Sequence, residues 1–382
     1  MLLPSGGIGG VEVHSVALAR ALARSGLTLR LAIEPALRPR FAALLGPDLA
    51  PGLEGLAIGW YPEVAAEANI RRQAAAAMAA ILAARPDAAI LPLPWPTHGL
   101  GIQQALAEAG VPVLAVAHLA PRELDPPTIA AAQALRPGPT RWVAVSDPVA
   151  ARLATCFGLP PGAVTTVTNG VPLPRERPGQ REAARAAKRR LLGLPGTAPL
   201  LVFAGRLEPN KGADLLPGIA QRLPPGMVLA ALGEGPLAPV LAAHPAAGGA
   251  ARPGPLRLLG QMGDVAEWLL AADALLLPSR LEGCPLVFLE AAARRCPVVA
   301  TEAALEAFGD AAFDLAAVAG EATAGSLAGR VAASLAEPAR RWRKVAAAWQ
   351  HAVAHDEAAM FRHYAGLLRA LAGPRAGDAS LE

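Results

Sequence analysis

Residues Pro278–Thr301 read PSRLEGCPLVFLEAAARRCPVVAT. The apolar run Ala274–Leu277 just before them predicts a buried parallel strand, and Pro285 suits the first turn of a helix, where its missing N–H costs nothing. Pro297–Ala300 then reads as the next strand, so the stretch predicts a strand, a loop, a helix and a parallel strand, the repeating unit of an α/β sheet. Glu282 falls on the loop, and Glu290 follows on the helix with seven residues between them. Leu286–Ala293 is apolar except for Glu290, so that carboxylate sits on a helix covered on most sides and needs a partner. Either a neighbouring Arg or backbone amide satisfies it in the core, or a ligand rich in hydroxyls does.

The whole chain extends the same pattern. At 382 residues it exceeds what one hydrophobic core usually serves, which predicts two domains. Hydrophobic residues make up 53% but aromatics only 4%, a balance that favours helices and buried parallel strands over an aromatic-rich sandwich. The net charge is +4, with basic residues clustered in Arg175–Arg190 and Arg340–Lys344. Neither cluster carries the interleaved aromatics of a nucleic-acid platform, so they read as solvated helix faces or, in second place, as contacts with an anionic membrane surface. Cys156, Cys284 and Cys296 are odd in number and lack metal-ligand spacing, which points to a reduced compartment. The start, MLLPSGG, has no basic n-region, and no uncharged apolar stretch is long enough to span a bilayer, so the expected location is cytoplasmic, at most peripheral at the inner membrane face.

Strand and helix signals alternate throughout. Strands are predicted at Leu27–Ile33, Ala88–Leu91, Val113–Ala117, Trp142–Val145 and Val164–Val167, with helices at Val11–Arg24, Ile70–Ala84, Leu100–Ala109 and Val149–Cys156. Residues 172–199 shift to Pro, Arg, Gly and Glu and read as a linker. A second series follows: strands Leu200–Ala204, Met227–Leu232, Leu256–Leu259, Ala274–Leu277 and Pro297–Ala300, with helices Ala213–Arg222, Leu237–Ala243, Val265–Ala271 and Leu286–Arg294. The tail Ala336–Ala372 reads as two further helices. The expected division is an N-terminal domain 1–171, a linker 172–199, a C-terminal domain 200–355 and a last helix in 356–382 that crosses back to the N-terminal domain.

Two glycine-rich segments fail the commoner motifs. Gly6-Gly7-Ile8-Gly9-Gly10 precedes a helix, but a dinucleotide fingerprint would need a third Gly where the chain has Glu12. Gly205–Gly212 reads GRLEPNKG, in which Asn210 and Gly212 replace the second Gly and the magnesium-holding Ser or Thr of a P-loop. What remains is two cations, Arg206 and Lys211, at the carboxyl end of a parallel strand, where open α/β sheets hold ligands and where an Arg fork and a Lys charge suit a diphosphate. Gly233-Glu234-Gly235-Pro236 closes the next strand, and Glu282 with Gly283-Cys284-Pro285 closes a later one. All three loops should meet along one sheet edge.

Taken in order, GGIGGVE (Gly6–Glu12), Val145-Ser146, Asn169-Gly170-Val171, GRLEPNKG, GEGP, Asp273, the PSRLEGCPLVFLEA block and PVVAT resemble the retaining GT-B glycosyltransferases of family 4. The resemblance covers nearly the whole chain and is strongest from Asn169 to Thr301. It implies two Rossmann-like, doubly wound domains facing each other across a cleft, the C-terminal one binding a nucleotide sugar and the N-terminal one shaping the acceptor site. By that resemblance Arg206 and Lys211 hold the diphosphate, Glu290 the ribose hydroxyls, and Glu282 with the backbone of Gly283, Cys284, Pro285 and Leu286 the transferred sugar. Gly9, Gly10, Gly205, Gly233 and Glu234 complete the donor-binding set, and His118, in LAVAHLAP, matches the cleft histidine near the donor sugar.

The implied reaction transfers a hexosyl-type sugar, with retention, from a nucleotide-diphosphate sugar to a hydroxyl acceptor, a glycan or lipid-linked saccharide, in polysaccharide or glycolipid synthesis. No DxD metal motif is evident, and the resemblance implies neither metal nor other cofactor. A sugar-nucleotide epimerase of the same fold and a catalytically degenerate binding protein are the alternatives. The chain departs from the family where Arg294-Arg295 replaces a small helix-ending residue, so that the left-handed cap is absent or made by a non-Gly residue, and where the Ala-rich EAALEAFGDAAFDLAAVAG follows PVVAT.

Overall fold

The computed structural model describes residues 1–123, 126–134, 140–249 and 252–373. The chain divides into two compact units, Met1–Asn169 together with the segment from Ala358 onward, and Gly170–Glu357. Both are built on parallel sheets, an α/β architecture in each case.

The first unit holds two parallel sheets. One runs Leu2–Leu3, Leu31–Ile33, Leu53–Gly55, and the other Ala89–Leu93, Val113–Ala117, Thr140–Ala144, Val164–Thr166, in that spatial order. The predicted strand from Leu27 starts four residues later because the Leu27 amide still bonds the Leu22 carbonyl at 3.2 Å, closing the end of the first helix. Strand Leu53–Gly55 and helix Arg38–Leu45 carry no clear period and were not expected. Helix Glu357–Ala372 packs Met360, Phe361, Tyr364 and Leu368 against Leu18, Leu22, Val116 and Val143 of this unit. The end of the tail, from residue 374, lies outside the described residues.

The second unit has a six-stranded sheet in the order Leu256–Leu258, Val228–Leu232, Leu200–Ala204, Ala274–Leu277, Val298–Thr301, Ala317–Ala319, all parallel. Runs such as LLVFA, VLAAL and ALLL are apolar throughout because both faces of these strands are covered. From the central strand Leu200–Ala204 the chain builds outward on one side, then returns to build the other side from Ala274–Leu277. The order therefore reverses between these two strands, which makes their carboxyl ends the crevice of the sheet. The edge strand Ala317–Ala319 lies in the Ala-rich segment after PVVAT. The predicted helix Ala213–Arg222 is split into a 3₁₀ turn, Ala213–Leu215, and a short helix, Leu216–Ala220.

Residues 172–199, read as a linker from composition, contain a helix, Gln180–Leu191, that belongs to the second unit. Four of its five cations turn inward, and Arg190 stays exposed. Arg189 is fully buried and donates to the carbonyls of Ala198 (2.9 Å) and Ala271 (3.0 Å) and to Asp273 Oδ2 (2.8 Å); Arg185 reaches Asp273 Oδ1 at 2.9 Å. Arg181 donates to the Arg294 carbonyl at 2.6 Å, and Lys188 pairs with Asp264 and lies 5.0 Å over the Trp268 ring. This corrects the reading of Arg175–Arg190 as a solvated or membrane-facing cluster for four of its cations: spacing 181, 185, 188, 189 places these on one helical face, and that face is the packed one, while Arg175, Arg177 and Arg190 are exposed. The two ends of the unit also meet, where the Val171 amide bonds the His355 carbonyl at 3.1 Å. A Cβ on Gly170 would lie 2.7 Å from Glu357 Cα, which is why this position of the Asn169-Gly170-Val171 motif admits only glycine.

Candidate functional site

The crevice of the second unit gathers the three loops that the sequence placed on one edge. The Gly205 amide bonds the Leu232 carbonyl (3.0 Å), the Leu207 amide bonds the Glu234 carbonyl (2.8 Å), and the Leu237 amide returns to the Leu207 carbonyl (3.0 Å). From the other side of the switch, the Arg280 amide bonds the Asn210 carbonyl at 2.8 Å, and the Arg280 guanidinium forks onto Asp214 at 2.6 and 2.7 Å. That fork holds the Asp214 carboxyl below the usual carboxylate range. Backbone approaches this close demand glycine. A Cβ on Gly212, at φ 69°, would lie 2.2 Å from the Pro278 carbonyl oxygen, and one on Gly233, at φ 138°, would lie 1.9 Å from that of Gly205.

Lys211 and Glu282 meet in this crevice. Lys211 Nζ lies 2.8 Å from both carboxylate oxygens of Glu282, and Ser279 Oγ donates to Oε1 at 2.8 Å. The two side chains are 26% and 10% exposed, so the pair is largely withdrawn from water but open on one side. Thr301, at the end of strand Val298–Thr301, donates to the Ser279 carbonyl and accepts from the Ala304 amide at 3.1 Å, which fixes the loop from below. Ser279, Thr301 and Arg280 were not singled out in the sequence. Their only signal is position, each at or just past the carboxyl end of a strand.

The other candidates sit around this pair. Arg206 is half exposed and pairs with Glu208 rather than with Glu282. Cys284 and Pro285 are buried, and Pro285 is the N-cap of helix Leu286–Ala293 instead of its first residue, leaving first-turn amides without intrahelical acceptors. Glu290 is partly buried; desolvation raises its pKa above the ordinary 4.5, and Arg294 opposes the rise. After this helix Arg295 takes the left-handed conformation, φ 49°, so the cap is made by a non-glycine residue. Its guanidinium lies 4.5 Å from the centre of the Trp349 ring. Among the described residues no group of three or more His, Cys, Asp or Glu is arranged to hold a metal ion.

In the first unit, Gly9 precedes the first helix, which opens at Gly10. Glu12, the residue that spoils a dinucleotide fingerprint, accepts from the Gly9 amide at 2.6 Å and from Ser5 Oγ, closing the loop onto its own helix as an N3 cap. His118 ends strand Val113–Ala117, its amide bonded to the Leu93 carbonyl at 3.0 Å. It is buried edge-to-face against His14, ring centres 4.7 Å apart, and its Nε2 finds no hydrogen-bond partner among the described residues. Burial holds both rings neutral: the pKa of His14 falls to about 4, and that of His118, lowered further by His14, well below its ordinary value. Nothing in the sequence alone paired these two residues.

Two family models match the chain. One described as Glycosyltransferase Family 4 matches residues 8–175, and one described as Glycosyl transferases group 1 matches residues 198–336. A D-inositol 3-phosphate glycosyltransferase 2 from Catenulispora acidiphila is 36% identical over 175 residues, 42% of this chain. One from Saccharomonospora viridis is 37% identical over 186 residues, also 42% of this chain; the chain spans 39% of the length of either relative. Among solved structures, HepE from Anabaena in complex with UDP-glucose is similar with a TM-score of 0.76 at 19% identity, covering 97% of this chain and 99% of that one. Sucrose-phosphate synthase from Thermosynechococcus elongatus follows with a TM-score of 0.72 at 19% identity, covering 97% and 98%. The two models fall on the two units in order, the solved structures share the GT-B fold, and the chain belongs to the group 1 glycosyl transferases of that fold.

Proposed function

We propose that the protein is a retaining glycosyltransferase that moves a hexosyl-type sugar from a nucleotide-diphosphate sugar to a hydroxyl acceptor, a glycan or lipid-linked saccharide. The observation that carries this reading is the crevice of the second unit, where Lys211, Glu282, Ser279 and the glycine loops Gly205–Gly212 and Gly233–Pro236 converge at the switch point of the sheet. The HepE structure with UDP-glucose supports a donor of this class.

On this reading Lys211 and Arg206 take the diphosphate, and Glu290 takes the ribose hydroxyls. A carboxylate can accept from two adjacent hydroxyls at once, which would occupy both oxygens of the partly buried Glu290. Glu282, released from Lys211 when the diphosphate claims that cation, would accept from hydroxyls of the transferred sugar, and the first-turn amides before Phe288 would add donors near negative charge. As the anomeric C–O bond breaks, its electron pair goes to the diphosphate oxygen and the sugar becomes oxocarbenium-like. The acceptor oxygen bonds to the anomeric carbon from the leaving-group face and its proton passes to the diphosphate oxygen, so configuration is retained and no carboxylate pair acts as acid and base. Charge on the departing diphosphate is met by the cations and helix starts, without a metal in this scheme. The resemblance assigns His118 to the donor sugar; a neutral ring with a buried, unpartnered Nε2 is chemically suited to one sugar hydroxyl.

Buried Cys156, Cys284 and Cys296, none of them in a disulfide among the described residues, support a cytoplasmic location. Among the described residues no helix is long and apolar enough to cross a membrane. With Arg181, Arg185, Lys188 and Arg189 turned inward, peripheral contact with anionic lipid would rest on the exposed Arg175, Arg177 and Arg190 and on Arg340–Lys344 with the exposed Trp342.

A thermal-shift panel tests the donor site. UDP and one or a few nucleotide sugars should raise the melting temperature of the wild type but not of Glu290→Ala. Lys211→Ala should fold and lose roughly 10²–10³ in turnover, as expected for one removed donor to the developing charge. If no nucleotide moves the wild type, or Lys211→Ala keeps full activity, the assignment is wrong.

A further inference from the structure

At the carboxyl edge of the first unit's strands, the loop after Leu53–Gly55 carries Trp60 and Tyr61, and the loop after Ala89–Leu93 carries Trp95 and His98. Trp60 and His98 stack, ring centres 5.5 Å apart with planes at 11°, and Trp95 lies 6.4 Å from His98 at 34°. All three rings are half-buried, in a chain only 4% aromatic. The glycine loop borders them, since a Cβ on Gly6 would lie 3.4 Å from the Trp60 carbonyl oxygen.

These rings are held by an unusual investment of buried polar groups. Gln73, fully buried, donates to the carbonyls of Ile58 (2.8 Å) and His98 (2.7 Å), tying the two ring-bearing loops to one another. One helical turn away, buried Asn69 accepts from the Tyr61 amide and donates to the carbonyls of Tyr61 (2.8 Å) and Val64 (3.0 Å). Arg72 donates to the Gly59 carbonyl and lies 4.4 Å over the Tyr61 ring. Asn69, Arg72 and Gln73 share one face of helix Ala66–Ala84, so a single rigid element sets the position of both loops. Loops that only cap a sheet need no such fixing, whereas a binding surface gains affinity from being ordered beforehand.

We infer that Trp60, Trp95 and His98 form a preorganised aromatic platform that binds the acceptor, and that the acceptor presents an uncharged pyranose ring. The inference rests on the glycosyltransferase reading and names the acceptor class for it. Aromatic faces carry negative quadrupole density, against which the C–H face of a pyranose packs while its hydroxyls remain free at the rim. Burial lowers the pKa of His98 to about 4, so the platform is neutral. Its surroundings do not favour an anion: Glu34 holds the Gly59 amide at 2.7 Å, and the Arg72 guanidinium is already engaged with Gly59, Asn69 and Tyr61. A phosphorylated cyclitol, the acceptor class in the names of the relatives, would lack a counter-charge on this platform.

Isothermal titration of the full chain with maltotriose, cellotriose, chitotriose and mannotriose, alongside myo-inositol 1-phosphate, tests the proposal. At least one neutral oligosaccharide should bind saturably, at least ten-fold more weakly to Trp60→Ala and within about three-fold of wild type to Trp60→Phe, which keeps a ring and guards against misfolding. The UDP-induced rise in melting temperature should be the same in all three proteins. Saccharide binding unaffected by Trp60→Ala, or binding of the inositol phosphate and of none of the saccharides, or of no probe at all, overturns the platform. A wild type that UDP leaves unmoved overturns the donor site instead, while the saccharide titration still decides the platform.

Discussion

Replacing Asp273 by alanine removes the one carboxylate that matches the buried charge of Arg189. The Arg189 guanidinium donates to three neutral carbonyls, Ala198, Ala271 and Arg185, and among the described residues only Asp273 Oδ2 at 2.8 Å neutralises it. The same oxygen accepts the Leu200 amide at 2.8 Å, and Oδ1 holds Arg185 at 2.9 Å, so the change also strips the start of the central strand and leaves two cations side by side. Removing one partner of a buried pair costs roughly 3–5 kcal/mol. Asp273 is 22% exposed, so water can reach the vacated position and the lower end, about 3 kcal/mol, is expected. For a unit of this size about 2–4 °C is lost per kcal/mol, giving a fall of about 6–12 °C in the calorimetric transition. Asp273→Asn, which keeps an acceptor oxygen but no charge, should fall about half as far. Adding Arg189→Met to Asp273→Ala should recover part of the loss, because the double variant leaves no fully buried unpaired charge, while the Leu200 amide and Arg185 stay without their acceptor. A loss under about 1 kcal/mol, or a double variant no more stable than the single, would refute the claim that the basic helix Gln180–Leu191 is an internal structural element.

Three further outcomes follow from individual residues. Because burial raises the Glu290 pKa, stability is fullest below the ordinary 4.5 and is lost as pH rises through the folded value; Glu290→Gln should therefore melt higher than wild type at pH 8, and the gap should close by about pH 4. Melting curves with an equal gap at both pH values would contradict this. Gly212→Ala and Gly233→Ala should each lose about 3 kcal/mol or more and the UDP-induced stabilisation, while Gly226→Ala, with φ 80° but open space around its Cβ, should lose only about 1 kcal/mol in urea denaturation. Arg85, left-handed at φ 46° at the end of helix Ala66–Ala84, should accept glycine with a gain of about 0.5–1 kcal/mol by the same measurement; a loss would show that its side chain matters more than its backbone.

The amino-acid sequence determined by itself where the buried strands and most helices lie, because runs such as Leu200–Ala204 and Val113–Ala117 are apolar for their full length and are closed by glycine and proline. It also determined that GRLEPNKG, GEGP and EGCP share an edge, since alternation of strand and helix forces a parallel sheet whose loops collect at one end. The two-residue strand Leu2–Leu3 and Leu53–Gly55 were barely legible or silent, being too short to show a period. Direction of a charged face was not legible either: Arg181, Arg185, Lys188 and Arg189 have the composition of a solvated helix, and only packing, against the Arg294 carbonyl for Arg181 and against Asp264 and Asp273 for the others, turns them inward. Likewise Lys211 and Glu282 stand 71 residues apart, and Trp60 and His98 have no pattern in common. Their meetings depend on which strands become neighbours and on hydrogen bonds such as those of Gln73. Those are decided by the tertiary structure, since contact between side chains far apart in sequence is set by the geometry of the sheet and not by any local preference of the chain.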